Sequence, residues 1–298
     1  MIEQRKNSNQ PENLISRRNF LCSIAASAAT FAIGTYCAKG DTNDAPRISG
    51  LNFPLIDFHV HLEKEMTLEK AVQLSNKRGV KFGIAEHGGF RQIIDGDDAL
   101  KRYIESLEGH PVYKGMQAEG LDWMKCFSKD AIAQLDYVLS DALTFPEKDG
   151  RLVRLWTPKV KIEDKQDFME RYVDFNVLVI SSEPIDIIAN PTFLPMSIAD
   201  EYDTLWTEER MKKVIEAAVK YEVAIEINSR YNIPSAAFIR MAKSAGVKFS
   251  FGSNYHDENI GRLDYCLKIA KECNLTQKDM FMPKPDGMKP IQKRTFDS

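Results

Sequence analysis

The stretch Leu55-Ile56-Asp57-Phe58-His59-Val60-His61 decides how this chain is read. An apolar run (Leu55, Ile56, Phe58, Val60) ends in two histidines spaced i and i+2. Alternation along a strand points His59 and His61 to one face, so both imidazoles can reach a single metal ion. One His-x-His pair is weak by itself. Here later strand-like segments also end in metal-capable residues, and four of the five histidines fall at such ends.

Working outward, Thr67 to Arg78 has helical spacing of apolar residues with Gly79 as a stop, and Lys81 to His87 reads as a second buried strand. A helix over Asp97 to Leu107 and a strand over Val112 to Glu119 follow. Then come a helical turn at Asp130 to Leu135 and a strand at Asp136 to Asp141. Residues 148–161 read as an irregular excursion, Ile162 to Arg171 as a helix, and Ile185 to Ala189 as a strand stopped by Asn190-Pro191. Two more strands, Val223 to Asn228 and Val247 to Phe251, alternate with helices at Glu208 to Tyr221, Ser235 to Ala245 and Gly261 to Cys273. Seven strands, apolar almost throughout and alternating with helices, predict a parallel sheet covered on both faces. So many βα units favour closure into an α/β barrel. In such barrels sites are built at the C-terminal ends of strands. Those ends carry His59, His61, His87, Glu119, Asp141, Asn190, Asn254 and His256.

The chain has 298 residues and a formal net charge of −3, which argues against a dedicated nucleic-acid surface and for a small partner. The first 40 residues stand apart. Arg17 and Arg18 precede an uncharged run from Asn19 to Ala38, and Ser16-Arg17-Arg18-Asn19-Phe20-Leu21 resembles a twin-arginine export signal. That predicts passage through the twin-arginine machinery to the periplasm or the outer side of the cytoplasmic membrane. Cys37 offers a lipid-anchor alternative, although Tyr36 fits a lipoprotein box poorly. Residues 41–50 read as a polar linker and residues 51–298 as the folded domain. Of the remaining cysteines, Cys266 and Cys273 lie two helical turns apart, roughly 10 Å by the helical rise, too far to bridge. These two and Cys126 read as small buried hydrophobes.

From Leu55 to Leu275 the sequence resembles the PHP (polymerase and histidinol phosphatase) family of metal-dependent phosphoesterases. Asp57-Phe58-His59-Val60-His61 resembles its first motif and Ala85-Glu86-His87-Gly88 its second. Glu119 sits where the family has a metal-bridging Glu, and Glu226-Ile227-Asn228-Ser229 and Gly252-Ser253-Asn254-Tyr255-His256 resemble the last two motifs. The resemblance implies a distorted seven-stranded (β/α)7 barrel. It places His59, His61, Glu119 and Asn254 at one metal site and Glu65, His87 and His256 at a second. The third site, built around Asp141 or Ala142 and Asn190 beside Glu119, is mostly lost. The chain departs from the family at Ser140-Asp141-Ala142, Asn190 and Asn254, where His, His and Asp are usual. Replacing an ionised Asp by Asn254 removes charge that helps hold a cation.

The expected activity is phosphoester hydrolysis with divalent ions, two of Zn, Mn or Fe, one of which lowers the pKa of a bound water. Arg230, after the Glu226 strand, and Arg91, after Gly88-Gly89, are candidate clamps for a phosphate or carboxylate of a small-molecule substrate. No residue stands out as a protein general base. His110, at a strand start, reads as structural, and Trp123 and Trp156 as core or rim packing. Two alternatives remain: a barrel that has lost catalysis and binds a metal or small ligand, and an amidohydrolase-like enzyme acting on C–N bonds. The latter expects a catalytic Asp where Asn254 stands.

Overall fold

A computed structural model describes residues 51–62 and 65–295. The leader, the linker and Cys37 lie outside them. Among the described residues there are nine strands: β1 (Ile56–Val60), β2 (Lys81–Gly88), β3 (Tyr113–Ala118), β4 (Tyr137–Asp141), β5 (Thr144–Pro146), β6 (Leu152–Arg154), β7 (Ile187–Ala189), β8 (Ala224–Asn228) and β9 (Phe249–Gly252). Seven close into a parallel barrel in the order β1-β2-β3-β4-β7-β8-β9, with Asp57 paired to Phe251 across the seam. The expected seven-stranded α/β barrel is therefore present.

The α-helices among the described residues are α1 (Leu68–Arg78), α2 (Asp97–Leu107), α3 (Lys129–Ile132), α4 (Lys165–Ser182), α5 (Tyr202–Leu205), α6 (Glu208–Tyr221), α7 (Ala236–Ser244), α8 (Asp264–Glu272) and α9 (Pro290–Lys293). Their starts obey local rules. Thr67, Ser128, Asp164, Thr207 and Ser235 each accept a backbone N–H of the first turn. Gly79 ends α1 at φ 66°, in the left-handed region where the missing Cβ removes the steric cost. Among the described residues no helix is long and apolar enough to cross a membrane.

Two sequence expectations need correction. Helix α4 runs on to Ser182 instead of stopping near Arg171. Its second half, Tyr172 to Ile180, is rich in β-branched residues (Val173, Val177, Val179, Ile180) and reads locally as strand. Burial of Tyr172, Val173, Asn176, Val179 and Ile180 on one helical face overrides that preference. The stretch read as an irregular excursion contributes β6, which pairs antiparallel with β5 just before it through a turn at Glu147 to Gly150.

The core has two layers. Outside the barrel, Val60, Phe82, Ile84, Met116, Val138, Ile188, Ile225, Ile227, Phe249 and Phe251 meet the helices. Inside, the floor is filled by Ile56, Phe58, Ala85, Tyr137, Leu139, Ile187, Ala189, Ala224 and Phe281. Phe58 packs against Tyr113, Tyr137 and Phe281 at 5.1–5.6 Å between ring centres. Tyr137 donates to the Phe58 carbonyl at 2.8 Å, and Gly83 and Gly115 leave room for its ring. This floor closes one end and confines polar chemistry to the other.

Candidate functional site

The polar end of the lumen is built by a fault in alternation. Phe58 points into the floor and His59 binds partners in the lumen, although neighbours on a regular strand face opposite ways. The register between β1 and β2 shifts between Asp57 and Val60, where three β1 residues span two of β2. Such a bulge re-aims side chains and recurs beside functional sites. Asp57 pins it from behind, accepting from the backbone N–H groups of His59 (3.1 Å), Ser253 (2.9 Å) and Gly261 (2.9 Å). Its burial raises its pKa to about 6 in spite of those donors.

One half of the mouth is a closed hydrogen-bond network. His59 Nδ1 lies 2.6 Å from Glu226 Oε1, and His59 Nε2 lies 3.0 Å from Gln117 Oε1. The other Glu226 oxygen accepts from the Asn190 backbone (2.9 Å) and from Asn228 Nδ2 (3.2 Å). Gln117 Nε2 donates to Glu119 at 3.1 Å and to Asp141 at 3.4 Å. These two carboxylates claim the N–H side of the amide, so its oxygen faces His59. His59 therefore donates from both nitrogens. Burial opposes that charge, but Glu226, with Asp57 and Asp141 beyond it, holds the His59 pKa above the ordinary value. Burial and then neighbouring Glu119 push Asp141 up to about 7. Gly252 lets Glu226 in, since a Cβ there would collide with its carboxylate.

The other half is a stack of three imidazoles. His61 lies between His87 and His256, with ring centres 4.6 Å away on each side and planes within 4–5° of parallel. Its Nδ1 is buried without a hydrogen-bond partner. Burial, then the charge of His59, His87 and His256, drives its pKa well below the usual value, so it stays neutral. His87 Nδ1 is 2.7 Å from Glu119 Oε1; burial opposes its protonation, but Glu119 raises its pKa.

The expected site residues thus divide. His59, His61, His87, Glu119, Asp141 and His256 are joined by direct contacts or by Gln117. Asn190 and Asn254 sit beside them at φ 49° and 50°, and Asn254 Nδ2 is 3.4 Å from Asn190 Oδ1. Glu65 is exposed in the loop before α1, and among the described residues no contact ties it to the cluster. Arg230 reaches the mouth: Nη1 donates to the Asn254 carbonyl at 2.9 Å, and its guanidinium lies 5.5 and 5.9 Å from the Tyr231 and Tyr255 rings. Arg91 is exposed beside Phe90. Trp123 is fully buried and Trp156 is a half-exposed residue of the β6 loop. Gln117 was absent from the expected set, although alternation from Gly115 through Gln117 to Glu119 places it on the lumen face.

The metals implied by the family resemblance fit this donor set unevenly. Among the described residues no three His, Cys, Asp or Glu side chains stand in metal-holding geometry. At His59 the chemistry does not fit, because both nitrogens already serve as donors. At His61 it does: a neutral imidazole with a partnerless buried nitrogen lies between two more imidazoles. His61, His87 and His256 would hold such an ion only after their rings, parallel here, had turned to converge.

No protein-family model matches the chain, and no curated protein is significantly similar. Among solved structures, a chain of an archaeal ribonuclease P complex with mature tRNA is 13% identical, with a TM-score of 0.38, over 78% of this chain and 99% of that one. The YdjI aldolase of Escherichia coli K12 is 11% identical, with a TM-score of 0.32, over 76% and 92%. A β-mannanase of Streptomyces thermolilacinus is 12% identical, with a TM-score of 0.34, over 82% and 88%. The functional reading rests on the site alone.

Proposed function

We propose that the protein is an exported hydrolase of phosphate esters that works with one divalent ion, held at His61, His87 and His256 with Glu119 beside them. The observation that carries this reading is the buried, partnerless Nδ1 of His61 inside an imidazole stack at the polar end of a parallel barrel. An unpaired polar atom in a buried place costs free energy unless something binds it. Imidazole with carboxylate suits Zn, Mn or Fe, and when bound such an ion supplies an acidified water at neutral pH.

The chain's own residues have separate tasks. Glu119 orients His87 through Nδ1 and holds the proton they share. Arg230, braced by the Asn254 carbonyl, presents a guanidinium to an anionic substrate. The apolar floor beneath excludes water from below. The twin-arginine leader would carry the domain out already folded and loaded.

The test is metal content per chain on protein purified without chelators, followed by a panel of phosphate esters. One ion per chain, with turnover lost in chelator and restored by Zn2+ or Mn2+, is expected. No ion at saturating metal would sink the reading. The neutral amides of Gln117, Asn190 and Asn254 favour a second one, a barrel that binds a small anion without hydrolysing it. Binding without turnover across the panel would select it.

A further inference from the structure

We propose that Gln117 closes one metal position of this barrel: its amide occupies the place of a cation between His59, Glu119 and Asp141, and the chain holds at most one divalent ion. The ion at the imidazole stack rests on the function proposed above; the closure at Gln117 does not.

A cation among one imidazole and two carboxylates accepts a nitrogen lone pair and draws in negative oxygens. Gln117 satisfies the same groups with the two ends of one amide. Its Nε2 gives hydrogens to Glu119 and Asp141, and its Oε1 meets His59 Nε2 at 3.0 Å. The polarity at His59 is the reverse of a metal's, because an amide oxygen needs N–H where an ion needs a lone pair. A carboxylate behind a histidine, as Glu226 is behind His59, is also how metal-bound imidazoles are oriented. The group at the far nitrogen separates the two cases, and here it is an acceptor. Gln117 is only 6% exposed, and the amides of Asn190 and Asn254 nearby add no negative charge to draw a cation in. Opening the position means breaking the three hydrogen bonds of the Gln117 amide.

Gln117→Glu keeps the shape and replaces the N–H donor by a third carboxylate oxygen beside Glu119 and Asp141. Equilibrium dialysis against excess Mn2+ or Zn2+, read by elemental analysis, should give one more ion per chain in this variant than in the parent protein. Its melting temperature should rise with the same ions by more than the parent's does. In the parent chain, His59→Gln should leave the ion count unaltered, since His59 Nε2 is already taken up by the Gln117 oxygen. Two ions in the parent, loss of an ion in His59→Gln, or a folded Gln117→Glu with the parent's count would each overturn the inference. If Gln117→Glu does not fold even with Mn2+, the parent count and His59→Gln decide. A parent that binds no ion while the variant binds one supports the closure and defeats the proposed hydrolase. A parent with one ion but no turnover leaves the closure standing and removes only the activity.

Discussion

His59, Glu226 and Gln117 satisfy one another on one side of the mouth, whereas a few ångströms away His61 Nδ1 is buried among rings with nothing to bond. Both halves grow from the same strand, two residues apart. The difference lies in what surrounds them. Around His59 stand a carboxylate and an amide of matched polarity, which can compensate the cost of burying charge. Around His61 stand imidazoles, which stack on it and leave its Nδ1 without a hydrogen bond. The closed half is satisfied from within, and the open half leaves His61 Nδ1 unbonded.

The sharpest way to break this contrast is all-or-none. His61→Ala should abolish bound metal with the barrel still folded, and His59→Ala with His61→Ala should do the same. Unchanged stoichiometry in elemental analysis would refute the assignment of the open half.

A large effect on stability is expected in the closed half. Glu226→Ala removes the acceptor shared by His59 Nδ1, the Asn190 N–H and Asn228 Nδ2. Breaking a buried charge pair in this way costs about 3–5 kcal/mol. At ~2–4 °C per kcal/mol for a domain of this size, the melting temperature should fall by roughly 6–20 °C. A shift of ~1 °C in thermal unfolding followed by circular dichroism would mean that the network contributes little.

Asp186, at the floor end where β7 begins, sharpens the comparison because it too leaves a buried oxygen, Oδ1, without a partner. Oδ2 accepts from Val138 N at 2.9 Å. Here protonation resolves the problem instead of a ligand: burial raises the pKa from 3.8 to about 7. Between those values the folded state keeps a proton that the unfolded state has released, so stability falls as pH rises from about 4 towards 7. Asp186→Asn should flatten that slope and stabilise the protein at pH 8 by about 1–3 kcal/mol. Urea midpoints at pH 5 and pH 8 measure it; parallel shifts in parent and variant would contradict the account.

The smallest effect belongs to the rim. Arg230 is exposed, so Arg230→Ala should leave stability within about 0.5 kcal/mol. It should weaken an anionic substrate roughly 10-fold in KM, as loss of one charge-assisted hydrogen bond would. Equal loss for a neutral analogue would show that the guanidinium does not read charge.

Much of this molecule follows from periodicity. Seven apolar runs alternating with helices are enough for a parallel barrel, because two-fold and 3.6-fold patterns are local consequences of backbone geometry. Barrel closure then carries His59, His61, His87, Glu119, Asp141 and His256 to one end, since parallel strands place their C-termini together. What the sequence alone left open is which side chains meet. His59 and Glu226 are 167 positions apart, and only closure of the barrel brings them to 2.6 Å. The bulge in β1 lets Phe58 and His59 share the lumen, a breach of alternation that only pairing with β2 reveals. Strand parity places Gln117 beside Glu119, yet its place between three partners depends on β1, β3 and β4 together. Helix α4 outruns its local signal because burial against the barrel outweighs β-branched propensity. The sequence by itself determined the barrel and the chemical types gathered at its mouth. The tertiary structure decided which of them are satisfied and which remain open, because hydrogen-bond partners are chosen by spatial approach and not by position along the chain.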